Sequence, residues 1–357
     1  MQAEATQANS RPAISIVIPV FNAEDTLDEC IESLRTQTFG DWEAVCVNDG
    51  SNDGSLGKLQ RFAEEDARIR VFTQENAGPS AARNAALDAA RGEVVMFLDC
   101  DDWYEANACE TVHDAFCDDE VDLIAFGATC VPENAAPKHV RDLLSPRDEV
   151  IVGFTPDVLF SKYAQPYIAR IAARRAFLDD HRLRFATDIK LAEDTAFLFE
   201  AYPHARKTAL SSARLWNYRM NSESITHTYN KADATRTKLD YHLDAISHIL
   251  NNWKETGLIG LCPERMIEWI LDFTLFDISH LPADQQEVWL TKLNEILKRT
   301  FGDGYPALPR KAAVRHATRC VAACDRAKLF NGATAKLQLA RFFVATRGLK
   351  QCIERFV

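Results

Sequence analysis

The chain holds 357 residues, 47% of them apolar and 26% charged, which is enough to bury a core and unlike a disordered, collagen-like or coiled-coil chain. Its longest apolar runs, Ile14 to Phe21 and Val94 to Leu98, are far shorter than the roughly 20 residues a membrane helix needs. The net charge of −11 is uneven: from Tyr305 onward eleven Lys/Arg face only Asp325 and Glu354, so a basic end of +9 follows an acidic body of −20.

Met1 to Pro12 is polar, carries Glu4 and lacks the basic and apolar stretches of a secretory signal. It is expected to be an unstructured lead-in (1–12) to a cytoplasmic protein. Ten cysteines are scattered without any C-x-x-C spacing, which fits free thiols and argues against a disulfide framework or a structural zinc.

From residue 14 to 131, short apolar runs alternate with helix-length segments. The runs Ile14–Val20, Glu43–Val47, Arg70–Phe72, Glu93–Leu98 and Asp122–Phe126 read as buried parallel strands. Helices are expected over roughly 24–37, 54–66, 79–91 and 105–117, so the pattern is an α/β sheet wound by right-handed crossovers. In such sheets ligands lie beyond the carboxyl ends of the strands. A further strand is expected at Leu215 to Met220. From Lys231 the pattern is helical, with breaks near Gly257–Pro263, Pro282, Gly302–Pro309 and Asn331-Gly332. The expected division is 13–230 for the sheet domain and 231–357 for a helical region with a basic end.

The strand ends hold the chemistry. Asp99-Cys100-Asp101-Asp102 follows an apolar strand, and carboxylates spaced in this way can share Mg²⁺ or Mn²⁺ whose remaining shell is filled by phosphate oxygens. The plainer reading is a cap for a helix starting near Trp103. Asn48 to Gly54 reads either as a strand-to-helix turn or as a site where Asp49 meets a nucleotide while glycines let the backbone approach. Neither a G-x-G-x-x-G fingerprint nor a P-loop occurs, which takes support from NAD redox chemistry and P-loop phosphoryl transfer.

Four segments in order, Ser15–Asn22, Val47–Gly54, Glu75–Asn84 and Phe97–Trp103, resemble the motifs of the family 2 glycosyltransferases of bacterial cell-surface polysaccharide type. The resemblance covers roughly residues 12–228. It implies a GT-A-type nucleotide-sugar-binding sheet flanked by helices, followed by a mostly α-helical C-terminal region. It further implies that Pro19, Phe21 and Asp49 cradle the base of a nucleotide-sugar, usually uridine, with Arg83 near the same pocket. By the same similarity Asn76 and Gly78 shape the donor pocket, Asp99 faces the ribose and shares in the metal site, and Asp101 binds the metal on the diphosphate. Asp102 is commonly acidic in the family and is grouped with the donor site.

Leu191–Leu198 resembles the family's E-D motif at the start of a helix, so Asp194 matches the catalytic base and Glu193 its neighbour. On residues alone, an acidic first helical turn complementing the macrodipole is the favoured reading of this pair; the upstream motifs turn it toward the base. Trp216–Thr228 resembles the family's Y-R-x-x-x-x-S-I-T segment. That places Arg219 and Ser224 within reach of the diphosphate, a guanidinium suiting bidentate phosphate contacts, and makes His227 an optional metal ligand. Trp103 and Trp216 are candidates for a sugar subsite or for core packing.

The resemblance therefore implies an inverting, metal-dependent transfer from a UDP-sugar donor to a glycan or lipid-linked glycan acceptor. The stretch Ala333–Arg347 is a candidate amphipathic helix, with Leu337, Ala340, Phe343 and Val344 on one side. It suits either peripheral contact with an anionic membrane at the inner face of the cell or packing on its own domain, and the helical end allows a homodimer. Nucleic acid is not expected as a partner, because the body is strongly acidic and no recognisable binding motif appears. Two other readings stay open: a non-catalytic nucleotide- or glycan-binding protein on this fold, which would be expected to lose the key carboxylates, and a sugar nucleotidyltransferase, for which Phe21–Asp25 lacks the glycine-rich basic loop.

Overall fold

The computed structural model describes residues 11–162, 164–220, 234–349 and 352. They fall into two units, one of the residues up to Asp188 with Glu193–Met220, the other of Ile189–Ala192 with the residues from 234 onward.

The first unit runs β1 Ile14–Val20, α1 Leu27–Arg35, β2 Trp42–Asp49, α2 Ser55–Glu65, β3 Ile69–Gln74, α3 Pro79–Ala89, β4 Val94–Phe97, β5 Trp103–Tyr104, α4 Ala108–Ala115 and β6 Val121–Val131. It continues with α5 Lys138–Leu143, β7 Glu149–Val152, α6 Pro156–Phe160, β8 Ile171–Arg174, α7 Arg175–Asp180, α8 Glu193–Ala201 and β9 Lys207–Arg219. The strands form one sheet in the order β3-β2-β1-β4-β8-β6-β9-β5, with β7 also paired to β9.

The first four strands are parallel as expected, Val17 pairing with Val45 on one side and Phe97 on the other. Every residue of β1 and β2 is buried, as befits strands covered on both faces. Helix α1 supplies part of that cover through Leu27, Cys30, Ile31 and Leu34, the i, i+3, i+4, i+7 stripe of an amphipathic helix. The all-parallel expectation fails beyond β4. Strand β8 inserts antiparallel between β4 and β6, so β6 runs in the same sense as β4 without touching it. Strand β9 then pairs parallel to β6 and antiparallel to β5 and β7.

A polar knot lies inside this apolar sheet. Ser15 Oγ donates to Glu43 Oε1 at 2.7 Å and accepts from Gly92 N, while Arg70 and Arg91 pair with the same carboxylate. Burial alone would raise the Glu43 carboxyl, but hydrogen bonds from Ser15, Arg91 and Arg70 outweigh it and hold it below the usual range. Gly92 has no room for a side chain: a Cβ there would sit 2.5 Å from Ser15 N.

A helix starting near Trp103 does not form. Trp103–Tyr104 is strand and the next helix begins at Ala108, so Asp101 and Asp102 do not cap it.

The second unit is helical over Thr235–Glu255, Pro263–Ser279, Ala283–Phe301, Ala312–Ala322, Arg326–Phe330 and Gly332–Arg347. The breaks fall where glycine and proline predicted them, Gly257 and Gly302 both having positive φ. One further break comes at Cys324, whose φ of 49° no turn residue announced. The last helix turns differently from the expected face: Phe343 packs inward with Ala335 and Phe342, while Leu337, Ala340 and Val344 face outward. Three of the four residues expected on one side therefore share the outward face, and Phe343 leaves it for the inward one. Arg347 pairs with Asp272 and Lys311 with Glu268, so part of the basic end is neutralised within its own unit. All ten cysteines are free thiols, and among the described residues no helix is long and apolar enough to cross a membrane.

Candidate active site

The ends of β1, β2 and β4 and the start of α8 carry the residues singled out by sequence. The loops after β1 and β2 are laced together: Asn22 N donates to Ser51 Oγ, Asn52 N to Asn22 Oδ1, Ala23 N to Ser55 Oγ and Glu24 N to Asp53 Oδ2. Pro19 is buried opposite Val47. Phe21 stands 46% exposed, an unusual position for a large apolar ring.

Asp49 is nearly fully buried at the end of β2. It accepts from Gln74 Nε2 at 2.7 Å, Ala77 N at 2.9 Å and Gly78 N at 2.8 Å, so the segment from Asn76 to Gly78 wraps around its carboxylate. Gly78 manages this at φ 90°. Gly50, also at positive φ, leaves space for the wrap, since a Cβ there would lie 2.9 Å from Asn76 N. The sequence did not single out Gln74, which closes β3 and contributes the shortest of these bonds.

Helix α1 anchors the Asp99–Asp102 loop after β4: Thr26 Oγ1 donates to Cys100 O at 3.0 Å, and the Cys30 thiol points at Asp99 O. Three carboxylates crowd here. Burial, then the charge of Asp99, pushes the Asp101 carboxyl up to about 6. Asp102 is shifted further upward by burial and by Asp101 and Asp99. It faces away from the open side, taking Trp216 Nε1 at 3.0 Å and Arg219 N at 2.8 Å. Its place among the donor-binding residues is therefore corrected: both oxygens are engaged in pinning β9 to the loop. Trp216, 1% exposed, is a core residue rather than a wall of the site.

Arg219 reaches the same loop. Its Nε donates to Asp101 O at 2.8 Å, its guanidinium lies 4.8 Å from the Trp103 ring centroid, and it pairs with Glu29. Ser224 and His227 lie outside the described residues.

Arg83 meets the donor-site carboxylate Asp99 rather than standing free in the pocket. Its guanidinium donates to Asp99 Oδ1 at 2.7 Å and to Glu193 Oε1 at 3.0 Å. A buried guanidinium needs such carboxylate partners.

Asp194 accepts from Thr195 N at 2.6 Å and Tyr167 N at 2.9 Å. Tyr167 holds φ 73° and Ala192, just before the helix, φ 67°, so two non-glycine residues in a costly conformation flank this carboxylate. Burial, then neighbouring Glu193, pushes the Asp194 carboxyl up to about 6. Asp194 keeps partial access to solvent, and its shift is of the kind that tunes a carboxyl for proton transfer near neutral pH. No residue pattern marked Tyr167, because its contribution is a backbone N–H.

The pattern described as Glycosyl transferase family 2 matches residues 15–178. Two proteins of Bacillus subtilis (strain 168) named as glycosyltransferases are similar: EpsH, 31% identical over 272 residues, covering 69% of this chain and 79% of EpsH, and EpsJ, 31% identical over 267 residues, covering 72% and 75%. Among solved structures, TarS 1–349 from S. aureus in complex with UDP superposes with a TM-score of 0.69 at 19% identity, covering 92% of this chain and 90% of that one. The mixed sheet is thus the GT-A-type fold that the motifs implied. With the motifs in place at the strand ends, the chain belongs to glycosyl transferase family 2 and is a glycosyltransferase.

Proposed function

We propose that this enzyme moves a sugar, with inversion, from a UDP-sugar to a hydroxyl of a cell-surface polysaccharide or a lipid-linked oligosaccharide, with residues 13–230 as the transferase domain. The observation that carries this is the gathering of Asp99 and Asp101 at one strand end with Asp194 joined to them through Glu193 and Arg83. Similarity to TarS, solved with UDP and with UDP-GlcNAc, supports a uridine donor, and the relative named poly(ribitol-phosphate) beta-glucosyltransferase supports a wall or surface polymer as acceptor.

In this reading the exposed ring of Phe21 stacks on the base, and Asp49 shapes the base pocket by holding the Ala77–Gly78 backbone in place. Asp99 and Asp101 are hard oxygen donors whose crowding raises the Asp101 carboxyl, a donor set that fits Mg²⁺ or Mn²⁺. Such an ion, when bound, neutralises charge on the departing diphosphate. Arg219 adds a guanidinium at the same loop. Asp194 takes the proton of the acceptor hydroxyl as its oxygen bonds to the anomeric carbon. The bond from that carbon to the diphosphate oxygen breaks with its electron pair on UDP, and attack from the opposite face inverts the centre. Tyr167 N and Thr195 N hold the Asp194 carboxylate in place, while Glu193 orients the acceptor side.

The outward stripe of Leu337, Ala340 and Val344, flanked by exposed Lys336 and Arg341, suits shallow contact with an anionic membrane on the cytoplasmic side. Flotation with vesicles containing anionic lipid, lost on Leu337→Asp, tests that part. The donor reading is tested by thermal shift with UDP and a panel of UDP-sugars, with and without Mn²⁺. Metal-dependent stabilisation that disappears in Asp101→Ala is expected. No shift with any nucleotide would turn the assignment toward a binding protein that has lost catalysis.

A further inference from the structure

Arg83 occupies a position that its role as a family motif residue does not explain. Its side chain is 7% exposed, and it joins Asp99, at the end of β4, to Glu193, the first residue of α8 and 110 positions further along the chain than Arg83 itself. The guanidinium lies 5.3 Å from the Phe185 ring centroid. Phe185 in turn stacks on Phe197 of α8 at 4.4 Å, meets Phe97 of β4 edge-on at 5.6 Å, and exchanges both backbone hydrogen bonds with the Asn84 side chain. Thus α3, β4 and α8 are locked around one cation. The Arg83 Nε is buried without a partner, so the group has given up a hydrogen bond to keep its fork on the two carboxylates.

We propose that Arg83 is a positioning residue that sets the distance between the donor-side carboxylate Asp99 and the acceptor-side pair Glu193 and Asp194, and so aligns the acceptor oxygen with the anomeric carbon. This rests on the donor and base assignments above. Without the guanidinium, two like charges face each other across the site, and the start of α8, preceded by Ala192 at positive φ, is free to move away. A misplacement of about 1 Å between reacting groups costs on the order of 100-fold in rate. Lysine cannot replace the fork, because a point charge does not bridge two carboxylates with fixed geometry.

The test uses the full chain with Mn²⁺, in wild type, Arg83→Lys, Arg83→Met, Glu193→Gln and the Arg83→Met/Glu193→Gln double variant. UDP binding is read by calorimetry, and chemistry by UDP release from saturating UDP-GlcNAc or UDP-glucose with water as acceptor. Arg83→Met is expected to bind UDP within roughly threefold of wild type and to release it on the order of 100-fold more slowly. Arg83→Lys, the variant that keeps the charge and safeguards folding, is expected to bind UDP normally and still lose roughly tenfold in turnover. The double variant is expected to be no slower than Arg83→Met alone. Unchanged turnover in Arg83→Lys and Arg83→Met, a loss confined to UDP binding, or rate losses of the two single variants that multiply in the double variant would each overturn the proposal. Wild-type protein that binds no UDP would instead refute the donor reading beneath it.

Discussion

Replacing Asp101 with asparagine should stabilise the protein when no divalent ion is present. In the fold this carboxyl titrates near 6 instead of 3.8, because burial and Asp99 penalise its charge. A difference of that size is worth about 3 kcal/mol at neutral pH, as an upper value. The folded state binds the proton more tightly than the unfolded chain does, so stability falls as pH rises from about 4 to about 6 and is level above that. Asparagine removes the charge and keeps the shape. In EDTA at pH 7.5, Asp101→Asn should melt higher by up to about 6–12 °C, given roughly 2–4 °C per kcal/mol for a domain of this size. The gap should shrink as pH falls from about 6 towards about 4, because the folded carboxyl is then protonated and only the unfolded chain still carries part of the charge. Scanning fluorimetry across pH 4 to 8 measures it, and added Mn²⁺ should raise wild type while leaving the variant unmoved. A variant that melts no higher than wild type at pH 7.5, or a gap independent of pH, would refute the electrostatic reasoning.

Asp194→Asn should keep UDP affinity and lose about 10²- to 10⁴-fold in turnover. Wild-type turnover should fall as pH drops through about 6, where Asp194 takes up its proton, and a rate held to pH 5 would place the base elsewhere. Gly92→Ala forces a Cβ to within 2.5 Å of Ser15 N and 2.7 Å of Ile14 C, backbone atoms that cannot yield, so urea unfolding should register a loss of at least about 2 kcal/mol. Trp216→Phe removes the Nε1 donor to Asp102 and should cost about 1–3 kcal/mol. An unchanged urea midpoint would mean that Asp102 is held by Arg219 N alone.

Strands β1 to β4 were legible because each is a short apolar run closed by turn residues, and the carboxylates that matter sit directly after those runs. Strand β8 was not, since Ile-Ala-Ala-Arg is too short to show a period and pairs only with residues far away in sequence. Strand β9 begins at Lys207 instead of Leu215 because its first half, Lys-Thr-Ala-Leu-Ser-Ser-Ala-Arg, holds no apolar run and no strict alternation. At the site, Asp49, Asp99, Asp101 and Asp194 were named from their motifs, yet their partners were invisible. Tyr167 acts through its backbone, Arg83 spans α3 to α8, and Asp102 turns inward to Trp216, all contacts between distant residues that local pattern does not encode. On the last helix the pattern grouped Phe343 with Leu337, Ala340 and Val344, and only the packing of Phe343 beside Ala335 and Phe342 separates it from the outward three.

The pairing order has a consequence for how the chain is made. Strand β4 emerges from the ribosome with one edge bare, and that edge is covered only when Ile171–Arg174 has followed. Strands β5 and β7 must wait longer still, for Lys207–Arg219. During that interval the growing chain presents an apolar strand edge of the kind that recruits other strands. Synthesis of the later half is therefore the period in which this protein most needs a holdase, and truncation before Lys207 should give aggregates rather than a smaller soluble sheet.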